Sequence, residues 1–308
     1  SGYVAARRRG DLQIQATAAA VIGRLSRDHR LGGSAPPGHW PTLEKLASLP
    51  ATSGNRVVLL ENGSATFDAI MASIASAERY LLVQFYIIRN DRTGRRLQRA
   101  LIAAANRGVA VYLLYDGIGS WGLSRRYLAA LRSAGVRAEP FATTRFNWRG
   151  RFQVNFRNHR KCVIVDGVQG FIGGLNIGDE YLGQNPKLGV WRDTACALHG
   201  PIVSQLQLVF CEDWIWATDQ SLFEVLNWSA GTAKDNMDAL LLATGPADEL
   251  ETGTLYFCAA AQMAQERLWI ASPYFVPEAD VMSALKVAAM RGVDVRILLP
   301  ARADHYAT

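Results

Sequence analysis

The sequence has few cysteines and no long apolar run, and each absence narrows the class of protein. Its four cysteines form no C-x-x-C pair and no zinc-ligand spacing, and they stand in apolar stretches, so we expect buried free thiols in a reducing compartment: Cys162, Cys196, Cys211 and Cys258. No stretch reaches the ~20 apolar residues of a membrane-spanning helix. These 308 residues therefore predict a globular chain that does not itself span a membrane.

Acidic side chains are missing from one long segment. No Asp or Glu occurs at 140–165, although the chain has 27 acids against 33 Lys and Arg. This segment alternates basic and aromatic residues, among them Arg145, Trp148, Arg149 and Arg151. Such a mixture suits a single-stranded nucleic-acid groove and suits a membrane interface equally well, and an ordinary solvated loop also accounts for it. The net charge of +6 favours an anionic partner without choosing among them.

Apolar strand patterns alternate with helical ones from residue 56 to residue 141. The patterns predict strands at 56–60, 80–88, 109–115 and 136–141, and helices at 65–77, 93–107 and 124–134. A further helix is predicted from 201 to about 217. This alternation indicates an α/β fold, a sheet with helices on its faces. With 49% apolar residues, the chain can bury a large core, and we expect two lobes.

The most informative stretch is 155–176, at the end of the acid-free segment. It contains His159, Lys161 and Asp166 in the spacing H-x-K-x4-D, followed by Gly173, Gly174 and Asn176. The β-branched run before Asp166-Gly167 predicts a hairpin, and alternation then directs His159 and Lys161 to the same side. Taken singly, these residues are more often a surface histidine, a turn or a bend. Their order within one hairpin favours chemistry.

This combination suits a phosphate group. A neutral imidazole attacks phosphorus or shuttles a proton, and an ammonium two residues away neutralises charge on the non-bridging oxygens. Asp166 has the wrong parity to share that face, and it either orients a histidine or starts the turn. Gly174 lets a backbone approach an anion, and Asn176 adds an uncharged donor. A metal site is disfavoured, because Lys161 would repel a cation and no second His or Cys stands at ligand spacing.

The chain then begins to repeat itself. Glu78-Arg79-Tyr80-Leu81 is echoed by Glu266-Arg267-Leu268-Trp269, and residues 107–114 are echoed by 291–298. A second copy of the α/β unit is therefore predicted to begin by about residue 240. No second H-x-K sequence follows within the 308 residues, since His305 has no lysine two positions later.

These patterns predict four parts. They are an N-terminal segment and linker at 1–50, a first lobe at 51–218, an exposed acidic connection at 219–238 and an incomplete second lobe at 239–308. The connection is assigned because acids outnumber bases seven to one between Asp219 and Glu251.

The motif and its trailing Gly-Gly-x-Asn resemble the H-K-D signature of the phospholipase D superfamily. Through 177–183, 191–194 and Asp213-Trp214, the resemblance extends to the bacterial cardiolipin synthase branch, and it covers most of 55–308. It implies a phospholipase D-like repeat fold. It also implies a phosphatidyltransferase that joins two phosphatidylglycerol molecules into cardiolipin through a phosphohistidine intermediate, with no metal or organic cofactor.

The resemblance also implies roles for the motif residues. His159, Lys161 and Asp166 are expected to be catalytic, and Lys161, Gly174 and Asn176 are expected to hold the phosphate. The basic and aromatic segment is then expected to face lipid headgroups through Arg145, Trp148, Arg149 and Arg151.

Partners and location follow from the same resemblance. We expect an anionic phospholipid, phosphatidylglycerol, at the cytoplasmic side of a bacterial inner membrane, with transmembrane helices upstream of the arginines at 7–9; nucleic acid is disfavoured. The second motif is expected from a missing C-terminal half or from a second protomer, so these 308 residues are predicted to be inactive alone. Two alternatives stay open: a phosphodiesterase that hydrolyses phospholipid or nucleic acid with the same His159 and Lys161, and a non-catalytic membrane-binding protein.

Overall fold

The structure, a computed structural model, describes residues 16–31, 40–141, 158–185, 189–229, 231–245 and 251–301. The chain divides into two compact units. Unit 1 comprises residues 1–32 and 51–241, and unit 2 comprises residues 33–50 and 242–308. The arginines at 7–9 and the four residues expected to face lipid headgroups, Arg145, Trp148, Arg149 and Arg151, lie outside the described residues.

Helices and strands alternate along most of the described chain. In order they are α1 (16–28), α2 (Trp40–Ala47), β1 (Thr52–Glu61), α3 (Asn62–Ser76), β2 (Tyr80–Phe85), α4 (Arg92–Asn106), β3 (Ala110–Asp116), α5 (Arg125–Ser133), β4 (Arg137–Phe141), β5 (Cys162–Val165), β6 (Gln169–Gly173), a 3-10 turn (Asp179–Leu182), β7 (Thr194–His199), α6 (Ile202–Thr218), β8 (Met237–Ala239), α7 (Thr252–Met263), β9 (Arg267–Ala271), α8 (Ala279–Met290) and β10 (Asp294–Leu298).

Unit 1 is built on an eight-stranded mixed sheet with the strand order β4-β3-β2-β5-β6-β7-β1-β8. The strands β2, β3 and β4 run parallel and are joined by α4 and α5, the crossover helices that parallel neighbours require. The other neighbouring strands pair antiparallel. The predicted α/β fold is confirmed.

Helices cover both faces of this sheet. On one face α3, α4 and α5 pack on alternate strand residues such as Leu81, Val83 and Val163, which are fully buried. On the other face lies α6, where the Trp214 ring meets the edge of Tyr112 at 5.2 Å between centroids. Because both faces are covered, every residue of β2 and β5 is buried, and both strands are apolar except for Gln84.

Local sequence fixes the ends of the crossover helices. The Asp91 carboxylate accepts a hydrogen bond from the Gly94 amide at 2.9 Å and caps the start of α4. The Ser124 hydroxyl caps α5 in the same way and accepts from the Tyr127 amide at 3.1 Å. Gly108 follows α4 with a φ of +92°, a left-handed conformation that favours glycine, and it turns the chain into β3.

The motif hairpin forms where the sequence predicts it. The strands β5 and β6 pair antiparallel, and the turn between them has Asp166 and Gly167 at φ values of 53° and 70°. Two successive left-handed residues are what a two-residue hairpin of this type needs, which explains the Asp-Gly pair. Because β5 also pairs antiparallel with β2, the start of β5 lies beside the carboxyl end of β2.

Unit 2 repeats the central part of unit 1. Its strands β9 and β10 pair in parallel and are joined by α8, as β2 and β3 are joined by α4. Arg107, at the end of α4, donates to two carbonyl oxygens at the end of α3, at 3.1 and 3.3 Å. Arg291, at the end of α8, donates to the two corresponding oxygens at the end of α7, at 3.0 and 2.9 Å. The internal repeat predicted from the sequence is therefore present in the structure.

The segment 219–238 differs from the exposed connection that its acidic composition predicts. Leu222, Phe223 and Leu226 are buried, and the Asn227 amide donates to the Tyr80 hydroxyl at 2.9 Å. The strand β8 then joins the sheet beside β1, so unit 1 extends to residue 241 instead of 218. The prediction from composition is wrong because the acids of the segment are exposed while Leu222, Phe223 and Leu226 pack inward.

The first 50 residues do not form one segment. Residues 1–32 belong to unit 1, and residues 33–50, which include α2, belong to unit 2. No helix in the described part of the chain combines the length and the apolar character that crossing a bilayer requires.

The four cysteines are free. Cys162 and Cys211 are buried, whereas Cys196 and Cys258 are half-buried, so full burial holds for two of the four. Burial raises the pKa of the Cys162 thiol to about 12, which keeps it protonated and unreactive.

Candidate active site

One edge of the unit 1 sheet collects the polar groups of the motif. The carboxyl ends of β2 and β3 meet there because the strands are parallel, and the start of β5 lies there because β5 is antiparallel to β2. The end of β6 and the start of β7 complete the edge. Each of the following residues lies within three positions of the end of one of these strands at this edge: Tyr86, Asp116, His159, Lys161 and Asp193.

His159 lies at this edge with its ring against Tyr86. The two ring centroids are 4.6 Å apart and the planes are tilted by 55°. The residue as a whole is exposed, but Tyr86 shields one side of the ring, and this desolvation lowers the pKa of the imidazole. The charge of Lys161 lowers that pKa further, while Asp116 raises it. The imidazole is therefore neutral at pH 7 and available as a nucleophile or a base.

Lys161 contacts the same aromatic ring. Its Nζ lies 5.4 Å from the Tyr86 centroid and donates to the His159 carbonyl oxygen at 2.5 Å. The residue is only 8% exposed and lines a small apolar pocket with Phe67 and Phe85. Burial lowers the pKa of the lysine to about 8, and Asp193 partly offsets this effect. Most of the lysine is still charged at neutral pH, and two further N–H groups of the ammonium can bind an oxyanion.

A buried network fixes the backbone on both sides of His159. The Asp213 carboxylate of α6, which is 4% exposed, accepts from Asn158 Nδ2 at 2.7 Å and from Gln84 Nε2 at 2.8 Å. Its other oxygen accepts from Arg160 Nη1 at 2.6 Å. Asn158 and Arg160 are the two chain neighbours of His159, so α6 positions the histidine through them.

Asp116 holds the same stretch from the end of β3. One carboxylate oxygen accepts from the backbone N–H of Asn158 at 3.2 Å. The other accepts from the backbone N–H groups of Ile118 and Gly119 at 2.9 and 2.8 Å. The sequence reasoning assigned no role to Asp116 or to Tyr86. Asp116 directly follows the predicted strand at 109–115, and this was the available signal, because the ends of parallel strands meet at one edge of a sheet. Tyr86 lies inside the predicted strand at 80–88 and gave no such signal. Asp213 was singled out only as part of the family resemblance, and no local pattern links it to Asn158, which is 55 residues away.

Gly174 does not form an open cradle for an anion. A Cβ atom at this position would lie 2.7 and 2.8 Å from the two carboxylate oxygens of Asp193. Asp193 itself is held by the Thr194 amide, which donates to it at 2.7 Å. A carboxylate beside this backbone repels a phosphate, so the geometry disagrees with the phosphate-binding role expected for Gly174. The glycine is explained by the close approach of Asp193.

Asn176 is used by two structural contacts. Its Oδ1 accepts from the Ile87 amide at 3.0 Å, and its Nδ2 donates to the Tyr181 hydroxyl at 3.0 Å. The side chain is buried, with 6% exposed. These bonds tie the end of β2 to the 3-10 turn. A role of Asn176 in phosphate binding stays a prediction.

Asp166 lies at the opposite end of β5, roughly 15 Å along the strand from Lys161. Its carboxylate accepts from the backbone amides of Glu78, Arg79 and Tyr80 at 2.9, 2.8 and 2.8 Å. The structure therefore does not bring Asp166 to His159 and Lys161, and its position gives no support to the expected catalytic role. Of the two alternatives that the parity of Asp166 left open, the geometry favours the turn.

The edge of the sheet thus offers a neutral imidazole, an ammonium and an aromatic ring that contacts both. Within the described residues, no group of three or more His, Cys, Asp and Glu side chains is arranged to hold a metal ion. An imidazole beside an ammonium is able to attack a phosphodiester while its non-bridging oxygens are neutralised.

Comparison with known families gives one match that covers most of the chain. The family model of the phospholipase D-like domain of cardiolipin synthase matches residues 70–214 and 257–308. The matched ranges include the whole edge described above and the repeated part of unit 2.

Two curated relatives, both named cardiolipin synthase A, are similar to this chain. The protein of Pseudomonas syringae pv. syringae is 50% identical over 264 residues, which are 86% of this chain and 54% of the relative. The protein of Pseudomonas fluorescens (strain SBW25) is 46% identical over 305 residues, which are 98% of this chain and 63% of the relative. The chain therefore spans between about half and two thirds of the length of these relatives.

A solved structure shares the fold. The phosphatidylserine synthase of Haemophilus influenzae Rd KW20 superposes with a TM-score of 0.56 at 14% identity. The alignment covers 84% of this chain and 65% of that one. At this identity the likeness concerns the arrangement of helices and strands.

Proposed function

Because this chain belongs to the cardiolipin synthase family of phospholipase D-like domains, we propose that it carries half of the site of a phosphatidyltransferase. The reaction moves the phosphatidyl group of one phosphatidylglycerol molecule onto the terminal hydroxyl of another. Cardiolipin and free glycerol are the products. This proposal puts the site on the cytoplasmic surface of a bacterial inner membrane, where free thiols stay reduced.

The observation that carries the proposal is the contact of His159 and Lys161 with one ring, that of Tyr86. The lowered pKa of His159 keeps its imidazole neutral, as a nucleophile must be. Lys161 is still mostly charged at neutral pH and neutralises the phosphoryl oxygens as negative charge grows on them. We therefore assign His159 as the nucleophile.

The reaction runs in two displacements at phosphorus. In the first, a nitrogen of His159 bonds to phosphorus and the bond from phosphorus to the glycerol oxygen breaks. A second imidazole donates a proton to that oxygen, and glycerol leaves. In the second, the terminal hydroxyl of another phosphatidylglycerol gives its proton to the second imidazole and attacks phosphorus, and the bond to His159 breaks.

The second imidazole requires a partner motif. The 308 residues contain one H-x-K sequence, at 159–161. We propose that a further polypeptide segment supplies the other, and we use the term two-motif polypeptide for a chain that contains these 308 residues together with a second H-x-K motif. The 308 residues alone are expected to leave phosphatidylglycerol unchanged, and turnover by them alone would indicate that a second copy supplies the partner imidazole.

The test follows the fate of the lipid. Vesicles of phosphatidylglycerol with a labelled head-group glycerol are incubated with the two-motif polypeptide, and lipids and glycerol are separated by chromatography. Transfer releases one glycerol for each cardiolipin formed. Phosphatidic acid in place of cardiolipin would show hydrolysis. Cleavage of single-stranded DNA with no change in lipid would contradict the assignment of a lipid substrate.

A further inference from the structure

The loop at 117–123, which we call the rim loop, exposes a large aromatic side chain beside the proposed site. It follows β3 directly and contains Trp121, which is 83% exposed, and Ile118, which is 40% exposed. A ring so open to water contributes nothing to the packing of unit 1. Its apolar surface is available to a partner.

The backbone under these side chains is well anchored. The amides of Ile118 and Gly119 donate to Asp116, and the Trp121 amide donates to the Ile118 carbonyl oxygen at 3.2 Å. The Ser120 hydroxyl donates to the Tyr86 carbonyl oxygen at 3.1 Å. The fold therefore presents Trp121 from a fixed base, which lowers the entropy lost when it binds.

A single side chain, that of Tyr86, connects the rim loop to His159. A Cβ atom on Gly119 would lie 2.4 Å from the backbone carbonyl oxygen of Tyr86 and 2.9 Å from the Tyr86 ring. The loop therefore packs directly on Tyr86. The other side of this contact is the Tyr86 ring against His159. Whatever binds the rim loop is consequently held next to the proposed nucleophile.

The charge around the loop indicates the nature of the partner. Residues 117–138 contain no Asp or Glu. Arg125 and Arg126, in the first turn of α5, are both exposed. An exposed tryptophan beside exposed arginines suits the headgroup region of an anionic bilayer, where the ring sits at the interface and the guanidinium groups pair with phosphates.

We propose that the rim loop, with Arg125 and Arg126, docks unit 1 on an anionic lipid bilayer and inserts Trp121 at headgroup depth. This docking would be the membrane contact of the proposed transferase reaction, and its biological purpose rests on that proposed function. It brings lipid phosphates to the edge of the sheet that holds His159 and Lys161. A lipid then reaches the site without leaving the bilayer, and the second lipid is present at high local concentration.

The test measures partitioning of the 308-residue chain onto large vesicles of equal parts phosphatidylglycerol and phosphatidylcholine by sedimentation. Trp121→Ala is expected to lower the partition coefficient about tenfold, the factor that burial of one large side chain gives. The matched control is Leu59→Ala, which removes a side chain that is 67% exposed on β1, three strands away from β5. This control is expected to bind as the unchanged chain does.

A second variant tests the charge. Arg125→Gln with Arg126→Gln is expected to remove most of the rise in binding that follows when the fraction of phosphatidylglycerol is increased. Three results overturn the proposal: no vesicle binding by the unchanged chain, equal binding by Trp121→Ala, or an equal loss in Leu59→Ala. If Trp121→Ala alters self-association in lipid-free solution and leaves vesicle binding unchanged, the loop is a protein interface.

This assay involves no chemistry, so its outcome is separate from that of the proposed function. Loss of binding in Trp121→Ala supports the docking even if the lipid product turns out to be phosphatidic acid. Normal binding by that variant removes the docking even if cardiolipin is formed.

Discussion

At the scale of single residues, Tyr86 contacts both groups proposed for the chemistry. Its ring meets the His159 ring at 4.6 Å and the Lys161 ammonium at 5.4 Å. The ring desolvates the imidazole and favours its neutral form, while its π face favours the ammonium in its charged form. One neighbour therefore supports two opposite protonation states.

The lowered pKa of Lys161 predicts that phosphodiester binding weakens at alkaline pH. A soluble phosphodiester, glycerophosphoglycerol, keeps one negative charge throughout, and its binding to the chain should weaken as pH rises through about 8, where Lys161 loses its proton. Isothermal titration calorimetry between pH 6.5 and 9.5 measures this. In Lys161→Arg the charge persists, so binding should stay level over the same range. A level profile for the unchanged chain would contradict the role of the lysine.

The same shift has a consequence for stability. The folded pKa of Lys161, about 8, lies below the unfolded value of 10.5, so the unfolded chain binds more protons between these limits. This group alone therefore makes the free energy of unfolding rise as pH increases from about 8 to 10.5.

Asp166 is predicted to act on stability rather than on chemistry. Asp166→Ala removes the acceptor of three backbone amides at the start of β2, and we expect the free energy of unfolding to fall by about 2–4 kcal/mol. Urea denaturation measures the loss, with Asp68→Ala, an exposed carboxylate, as the control. Unchanged stability together with loss of phosphatidylglycerol turnover in the two-motif polypeptide would restore a catalytic role.

Spacing in the sequence predicts residue roles only over a few positions. His159 and Lys161 are two residues apart, and they come together at Tyr86. The roles expected for Gly174 and Asp166 depended on what stands opposite them, and that is set by pairing with β7 and β2. The Asp193 carboxylate beside Gly174 and the three amides around Asp166 are tertiary neighbours that no local pattern shows.

At the scale of elements, α6 supports the motif from beneath the sheet. It covers the face opposite α3 and α4, and Asp213 reaches from it to Gln84 on β2 and to Asn158 and Arg160 beside β5. A buried carboxylate with three charged or amide donors is costly to disturb. The chain on both sides of His159 is therefore held by one helix.

Asp213→Asn tests this support. The variant keeps the shape of the side chain but loses the charge that pairs with Arg160, so the histidine is less well placed for attack on phosphorus. In the two-motif polypeptide we expect kcat to fall about tenfold and KM to change less than twofold. Asp68→Asn, which disturbs an exposed ion pair with Arg96, serves as the matched control. Unchanged kcat in a folded Asp213→Asn variant would show that α6 supports the fold alone.

The sequence predicts the central strands of unit 1 and the helices between them because both faces of these strands are buried. The predicted strand at 109–115 and helix at 93–107 differ from β3 and α4 by one residue at each end. The segment 219–238 is missed because three apolar side chains decide its packing while acids dominate its composition. The strand β8, with three residues, is too short to show a period.

At the scale of the whole molecule, the chain contains one complete α/β unit and the parallel core of a second. The repeat is visible in the sequence because the Arg-Gly-Val sequence at 107–109 and at 291–293 has the same structural role in both copies. In both copies the arginine binds the end of the preceding helix, and the glycine adopts a φ near +90°. The acid-base partner proposed for His159 is the histidine of a second H-x-K motif, at the position that corresponds to His159.

The central claim is that the imidazole of His159 does chemistry on a phosphodiester. The most direct measurement is cardiolipin formation by the two-motif polypeptide with His159→Asn, on phosphatidylglycerol vesicles, beside the unchanged protein. Because His159 is exposed, the variant should fold and bind vesicles normally while turnover falls by more than about a thousandfold. Cardiolipin formation at the rate of the unchanged protein would contradict the account.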